Sequence, residues 1–94
     1  MYTLYGKTGS GSAAVEAALA VARAPFRFVE TASWAQNDAY AELLAVNPLG
    51  QVPTLVLDDG RSLGESGAIL WYFGEGTRFV PDDPYSRAQV LQWL

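Results

Sequence analysis

A proline stands near the start of the clearest strand pattern in the sequence. The apolar segment Val52–Leu57 follows a turn at residues 47–50, and Pro53 is its second residue. Because proline has no N–H to donate to a sheet, it is confined to a strand's first residue, an edge or a bulge. A cis bond there would turn the Val52 N–H and C=O outward, where an extended peptide could pair with them. Composition alone favours a trans bond, since only about 5–6% of X-Pro bonds in folded proteins are cis.

The spacing of apolar residues predicts the other elements of the chain. Strands are predicted at Tyr2–Tyr5, Phe26–Glu30, Val52–Leu57 and Arg61–Leu63, and helices at Ala13–Ala22, Asp38–Val46 and Ser66–Glu75. The first strand, helix and strand form a βαβ unit, whose two strands should be parallel. The order βαβ-α-ββα predicts an α/β, thioredoxin-like fold, in which helices cover both faces of a four-stranded mixed sheet.

The composition excludes several classes of function. The net charge is −4 and no basic run is present, which argues against nucleic acid or an anionic membrane surface as a partner. The chain has no cysteine and no histidine, so it lacks a thiol nucleophile and the commonest metal ligands, and no metal is expected. It also lacks a segment long enough to span a bilayer and the basic start of a signal peptide, so a cytoplasmic location is expected.

Two motifs, separated by a short predicted hairpin, carry a resemblance to a known family. The first is Asn47–Leu55, with the sequence NPLGQVPTL, and the second is Gly64–Phe73, which contains Glu65-Ser66 and Ala68-Ile69. Together they closely resemble the amino-terminal domain of the cytosolic glutathione transferases, in particular bacterial members of the serine type. The resemblance extends in order over residues 2–80 and implies the cis form for Pro53, with the Val52 backbone facing the ligand groove.

The resemblance also implies a domain organisation and an activity. Residues 1–77 would form the glutathione-binding domain, residues 78–84 a linker, and residues 85–94 the start of a helical carboxy-terminal domain. The full-length protein, expected to be a homodimer, would transfer the thiolate of its co-substrate glutathione to an electrophile, or use it for isomerisation or peroxide reduction. Residues 1–94 alone would be inactive or weakly active, because that family contacts the electrophile mainly through the carboxy-terminal domain.

The polar loop Thr8–Ser12 is the predicted catalytic segment. The amino terminus of the following helix favours an anion, and free thiols with a pKa of about 8.5 titrate lower beside such helix ends. The resemblance implies that a serine hydroxyl here stabilises the glutathione thiolate, with Ser10 as the first choice and Ser12 as the second. Tyr5 is a third choice but is better suited to packing within its strand. Alternatively, both serines serve only as helix caps.

The second motif predicts an anchor for the γ-glutamyl group of glutathione. Glu65 would pair with its ammonium group, and the hydroxyl and N–H of Ser66 would donate to its carboxylate. Gln51 would contact the glycyl end, again by resemblance. Alternatively, Ser66 is an ordinary N-cap and Glu65 is a solvated charge.

Two functions therefore remain open: a catalytic glutathione transferase, and a non-catalytic binding or protein-interaction module of the same fold. A glutaredoxin-type disulfide oxidoreductase is excluded, because that chemistry requires a cysteine and the chain has none.

Overall fold

The computed structural model of the chain describes residues 1–8, 12–31, 37–75 and 81–92. Its strands are β1 (Tyr2–Gly6), β2 (Phe26–Glu30), β3 (Thr54–Val56) and β4 (Ser62–Gly64). They form one sheet in the order β2-β1-β3-β4. Strand β1 runs parallel to β2 and antiparallel to β3, and β4 runs antiparallel to β3. The parallel βαβ unit and the mixed sheet predicted from the sequence are both confirmed.

The helices are α1 (Ser12–Val21), α2 (Asp38–Val46), α3 (Ser66–Gly74) and α4 (Pro84–Gln92). Helix α2 has the bounds that its apolar spacing predicts, because Asn37 caps its start and the Asn47-Pro48 turn follows its end. The Asn37 side chain accepts a hydrogen bond from the Tyr40 N–H. None of the described helices is long and apolar enough to cross a membrane.

Strand β3 is shorter than the sequence predicts, covering Thr54–Val56 instead of Val52–Leu57. At its start, Pro53 cannot donate to the sheet, and the Val52–Pro53 bond is cis. At its end, the Leu57 N–H donates to the Arg61 carbonyl at 2.7 Å, which closes the turn towards β4. The side chain of Asp59 orders the same turn by accepting from the Arg61 N–H at 3.0 Å.

One face of the sheet is apolar and carries the core. Leu4 from β1 and Leu55 from β3 face each other across the strands and are completely buried. The same cluster contains Val15 and Leu19 from α1 and Ile69 from α3, so both helices pack on this face. Burial of such side chains is the main stabilising contribution to a small domain.

The opposite face is more polar and is covered by α2. Successive strand residues point to opposite faces, so Tyr5 and Thr54, which are paired across β1 and β3, lie together on this second face. Helix α2 buries Leu43 completely, and hydrogen bonds join Glu42 of α2 to Tyr5 and the C-cap residue Asn47 to Thr54. Helices therefore cover both faces, and the predicted thioredoxin-like α/β fold is confirmed.

Arg87 of helix α4 contacts the end of α3 through an ion pair and an aromatic ring. The guanidinium of Arg87 bonds both carboxylate oxygens of Glu75, at 3.1 and 3.2 Å. It also lies 5.0 Å from the centre of the Trp71 ring, an arrangement typical of a cation–π contact. The predicted linker at 78–84 lies partly outside the described residues, and α4 begins at Pro84, one residue before the predicted start.

Candidate functional site

A cavity of about 360 Å³ lies where the end of α2, the loop before β3 and the start of α3 meet. Its lining includes four residues that the sequence predicts for glutathione binding: Gln51, Val52, Pro53 and Glu65. The two motifs are therefore adjacent in space, as the resemblance implied. Ser66 does not line this cavity but a neighbouring one, which it shares with Glu65.

The peptide bond between Val52 and Pro53 is cis, which confirms the prediction drawn from the resemblance. Val52 is partly buried at the cavity wall. Outside the sheet ladder, no described residue hydrogen-bonds to its N–H or C=O. These two groups are therefore available to an extended peptide ligand, which could pair with them as an added strand does.

The loop before β3 is held by a pair of side chains whose roles the sequence did not reveal. The Asn47 Nδ2 group donates to Thr54 Oγ1 at 2.9 Å, and that hydroxyl donates to the Gln51 carbonyl at 2.8 Å. Asn47 also accepts from the Leu49 N–H at 3.1 Å through its Oδ1 atom. Both residues belong to the first motif, but which groups pair depends on how the loop folds back over β3.

Gly50 is the tightest point of this loop. Its φ is +62°, a conformation that favours glycine, and a Cβ atom here would overlap the Tyr40 hydroxyl. The loop therefore lies directly on α2, and Gln51 emerges exposed beside the cavity.

Glu65 occupies an unusual backbone position immediately before α3. Its φ of 69° and ψ of 125° lie where residues other than glycine are rare, and such positions cost about 1–3 kcal/mol. The helix begins at Ser66, with Glu65 at the cap position, and the Glu65 side chain makes no capping hydrogen bond. The alternative in which Ser66 is an ordinary N-cap therefore does not describe this helix. The strained backbone holds an exposed carboxylate at the border of both cavities.

The start of α3 presents N–H groups to the neighbouring cavity. The first helix-type bond here runs from the Ile69 N–H to the Glu65 carbonyl at 3.1 Å. The N–H groups of Ser66, Gly67 and Ala68 precede it and have no partner within the helix, as at any helix amino terminus. All three residues line the neighbouring cavity of about 580 Å³. This arrangement suits a ligand carboxylate.

The two loop serines stand differently. Ser10 lies outside the described residues. Ser12 is completely buried at the first position of α1, and its hydroxyl donates to the Lys7 carbonyl at 3.1 Å. It also packs against Gly6, where an added Cβ would lie only 2.5 Å from the Ser12 Cβ. A buried hydroxyl in this position supports the packing of α1 against β1, and a role of Ser12 in stabilising the thiolate stays a prediction.

We expect Ser12→Ala to lower the free energy of unfolding by about 1–2 kcal/mol, because the hydrogen bond of the buried Ser12 hydroxyl is lost. Urea denaturation of the protein measures this loss. Glutathione affinity should stay unchanged when measured well below the denaturation midpoint. An equally stable variant would show that the hydroxyl does not contribute to the packing of α1.

Tyr5, the third choice for thiolate stabilisation, points into the domain. Only 3% of the residue is exposed, and its hydroxyl donates to Glu42 Oε1 on α2 at 2.9 Å. Burial, and then the hydrogen bond to Glu42, raise the pKa of the Tyr5 phenol above its usual value. The expectation that this residue packs within its strand is confirmed.

Among the described residues, no three His, Cys, Asp or Glu side chains lie close enough together to hold a metal ion. What the described site offers is a set of hydrogen-bond donors and acceptors and one free carboxylate, arranged along a groove. These groups suit a small zwitterionic peptide better than an apolar ligand, which would leave them unpaired.

The sheet order, the helices on both faces and the cis-proline groove together define a thioredoxin-like domain. Residues 1–75 match the family model described as glutathione S-transferase, N-terminal domain. The chain therefore belongs to the glutathione S-transferase family, as its two motifs implied.

Three relatives illustrate the likeness. The uncharacterized GST-like protein YncG of Escherichia coli K12 is 40% identical over the whole of this chain, which covers 49% of that protein. A glutathione S-transferase structure from Pseudomonas fluorescens matches 98% of this chain at 35% identity with a TM-score of 0.84, and the match covers 46% of it. A glutathione transferase homologue from Sulfitobacter, solved with bound glutathione, matches 95% of this chain at 38% identity with a TM-score of 0.73, over 44% of its length. The chain thus spans about half the length of these relatives.

Proposed function

We propose that this protein binds reduced glutathione and stabilises its thiolate, as the amino-terminal part of a glutathione S-transferase. The observation that carries the proposal is the cavity at the cis Val52–Pro53 bond, which places an unpaired backbone edge next to the Glu65 carboxylate. The family membership and the bound glutathione in the Sulfitobacter homologue support it.

Each part of glutathione has a proposed partner in the groove. The Val52 N–H and C=O pair with the backbone of the cysteinyl residue, as an added strand would. Glu65 binds the γ-glutamyl ammonium, and Ser66 with the free N–H groups of α3 binds the γ-glutamyl carboxylate. Gln51 donates to the glycyl carboxylate.

The sulfur of glutathione is the reactive atom. The Ser10 hydroxyl donates a hydrogen bond to the thiolate. This bond lowers the pKa of the thiol, because a hydrogen bond to the charged form favours that form. The serine is not consumed. At neutral pH more glutathione is then ionised and able to attack an electrophile.

The whole protein extends this proposal. We propose that the whole protein has a further, helical domain after residue 94, which supplies most contacts to the electrophile; the greater length of the relatives supports this. We further propose a cytoplasmic homodimer. The chemical class of the electrophile would then depend mainly on that further domain.

Calorimetric titration of the full-length protein with reduced glutathione tests the proposal. Cysteinylglycine, which lacks the γ-glutamyl group, is the matched ligand control. We expect saturable binding of glutathione and much weaker binding of cysteinylglycine, because only glutathione reaches Glu65 and Ser66. No binding of glutathione would refute the proposal.

A second measurement separates the catalytic function from the non-catalytic alternative. We expect the ultraviolet absorbance of the thiolate to appear at neutral pH in the complex, together with conjugation of a chlorodinitrobenzene. Glutathione binding without a thiolate signal and without conjugation would instead identify a binding module.

A further inference from the structure

Three side chains join α2 to the polar face of the sheet, and we call them the Glu42 joint. It consists of Tyr5 on β1, Arg27 on β2 and Glu42 on α2. The parallel register pairs Thr3 with Arg27, so Arg27 and Tyr5 lie on the same face of neighbouring strands. The Tyr5 hydroxyl donates to Glu42 Oε1 at 2.9 Å, and the Arg27 guanidinium donates to the same oxygen. One carboxylate therefore links three elements of the fold.

The phenol bond is the more directional half of the joint. The side chains of Arg27 and Glu42 are 55% and 44% exposed, so solvent screens their ion pair strongly. Tyr5 is 3% exposed and enters from the sheet side, where its hydroxyl has a fixed position. The bond from Tyr5, and then that from Arg27, lower the pKa of the Glu42 carboxyl, while the pKa of Tyr5 is raised. At neutral pH the donor is therefore a phenol and the acceptor a carboxylate, so this hydrogen bond is present in a binding assay at neutral pH.

The joint lies close to the glutathione groove but outside it. Val46, the last residue of α2, lines the cavity together with the following turn. Glu42 lies four residues earlier on the helix, about one turn from Val46. Two further bonds hold this end of α2, from Asn47 to Thr54 and from the Ser62 hydroxyl to the Val46 carbonyl at 3.0 Å. The position of the cavity wall therefore depends on how α2 is attached to the sheet.

We propose that Tyr5 and Glu42 are positioning residues for glutathione binding. They hold α2 against β1. Residues 46–49 and Gln51, at the end of α2 and in the following turn, form one wall of the cavity, and the attachment of α2 fixes the position of this wall relative to Glu65. This proposal rests on the proposed function. It implies that Tyr5 and Glu42 contribute to the affinity for glutathione. Ionisation of the thiol depends on other residues.

The test is Tyr5→Phe in the full-length protein, with Tyr2→Phe as the matched control. Both substitutions remove one phenolic hydroxyl from β1, but the Tyr2 ring packs against Phe73 on the opposite face. We expect Tyr5→Phe to raise KM and Kd for glutathione about 3–10-fold, the range for the loss of one ordinary hydrogen bond, because the lost bond acts on the ligand only through the position of α2. The kcat at saturating glutathione should change by less than about twofold. The pKa of the bound thiol should change by no more than about a few tenths of a unit, because the cavity wall moves but the reactive centre does not. Tyr2→Phe should change neither quantity.

Variants of Glu42 supply a rescue test. Glu42→Gln keeps an oxygen that can accept from Tyr5 but loses the charge that Arg27 binds. Glu42→Ala loses both interactions. We expect the glutathione affinity to fall further in Glu42→Ala than in Glu42→Gln, whereas equal losses would show that the bond to Tyr5 does not position the wall.

Failure of this inference is distinguishable from failure of the proposed function. If the unmodified protein binds glutathione and Tyr5→Phe has the same KM, the joint does not position the wall. If Tyr5→Phe instead raises the pKa of the bound thiol, Tyr5 is a catalytic residue and the inference is equally wrong. If the unmodified protein does not bind glutathione, hydrogen exchange of α2 in the free protein still tests the joint. Faster exchange in Tyr5→Phe than in Tyr2→Phe would support it, and equal exchange would refute it.

Discussion

Ser10→Ala is expected to raise the pKa of bound glutathione by about one to two units and to lower turnover at neutral pH by about 10- to 100-fold. One hydrogen bond to a charged group contributes about 1.5–3 kcal/mol, and one pKa unit corresponds to about 1.4 kcal/mol. The rate falls because a smaller fraction of the thiol is ionised at neutral pH. Raising the pH should therefore restore much of the turnover. The affinity for glutathione should change little, because the proposed γ-glutamyl anchors lie elsewhere.

The measurement is the pH dependence of thiolate absorbance in the complex with the full-length protein. Ser12→Ala is the matched control. It also removes a serine hydroxyl, but from a residue that is two positions after Ser10 and completely buried. A shifted titration in Ser12→Ala alone would mean that the assignment within the loop is wrong. If neither variant shifts the titration, N–H groups at the start of α1 would be the remaining source of stabilisation.

Glu65→Ala is expected to weaken glutathione binding by about 1–3 kcal/mol, the usual cost of losing one partner of a charge-assisted hydrogen bond. The backbone at Glu65 holds the carboxylate at the edge of the groove without a cap bond to satisfy it. Titration calorimetry at neutral pH measures the loss. Salt should weaken binding to the unmodified protein more than binding to the variant, because exposed ion pairs are screened.

Glu65→Gln provides the control for shape, because it retains the length of the side chain and its oxygen. An intermediate affinity is expected, since the hydrogen bond to the ammonium group remains and the charge does not. An unchanged dissociation constant in Glu65→Ala would show that Glu65 is only a solvated surface charge.

The sequence predicts the fold through local signals that tertiary packing reinforces. The alternation in Phe26–Glu30 and the helical spacing in Asp38–Val46 give elements with the same bounds as the structure. The two motifs also bring Gln51, Val52 and Glu65 to one groove. The bounds of strand β3 are less well predicted, because apolar composition does not show where the strand ends and the turn begins. Leu57 is apolar, but its N–H donates to the Arg61 carbonyl within the turn.

The features that the sequence does not reveal depend on contacts between distant residues. Glu42 is an ordinary charged residue of an exposed helix face until the fold places it beside Tyr5, 37 residues earlier. Ser12 could equally have faced solvent, and its burial depends on the absence of a side chain at Gly6. Similarly, nothing in the order Gly64-Glu65-Ser66 predicts that the glutamate and not the glycine adopts the positive φ.

The separation of the sheet into an apolar and a polar face has an evolutionary consequence. The cluster of Leu4, Leu55 and Ile69 contributes to stability and lies behind the sheet, while α2 and its loop lie in front of it. Substitutions at exposed positions of α2 and its loop can change ligand preference without altering the effect of substitutions in that cluster, because the effects of sites that share no contacts add. One scaffold can thereby diversify its recognition while its core stays under separate selection.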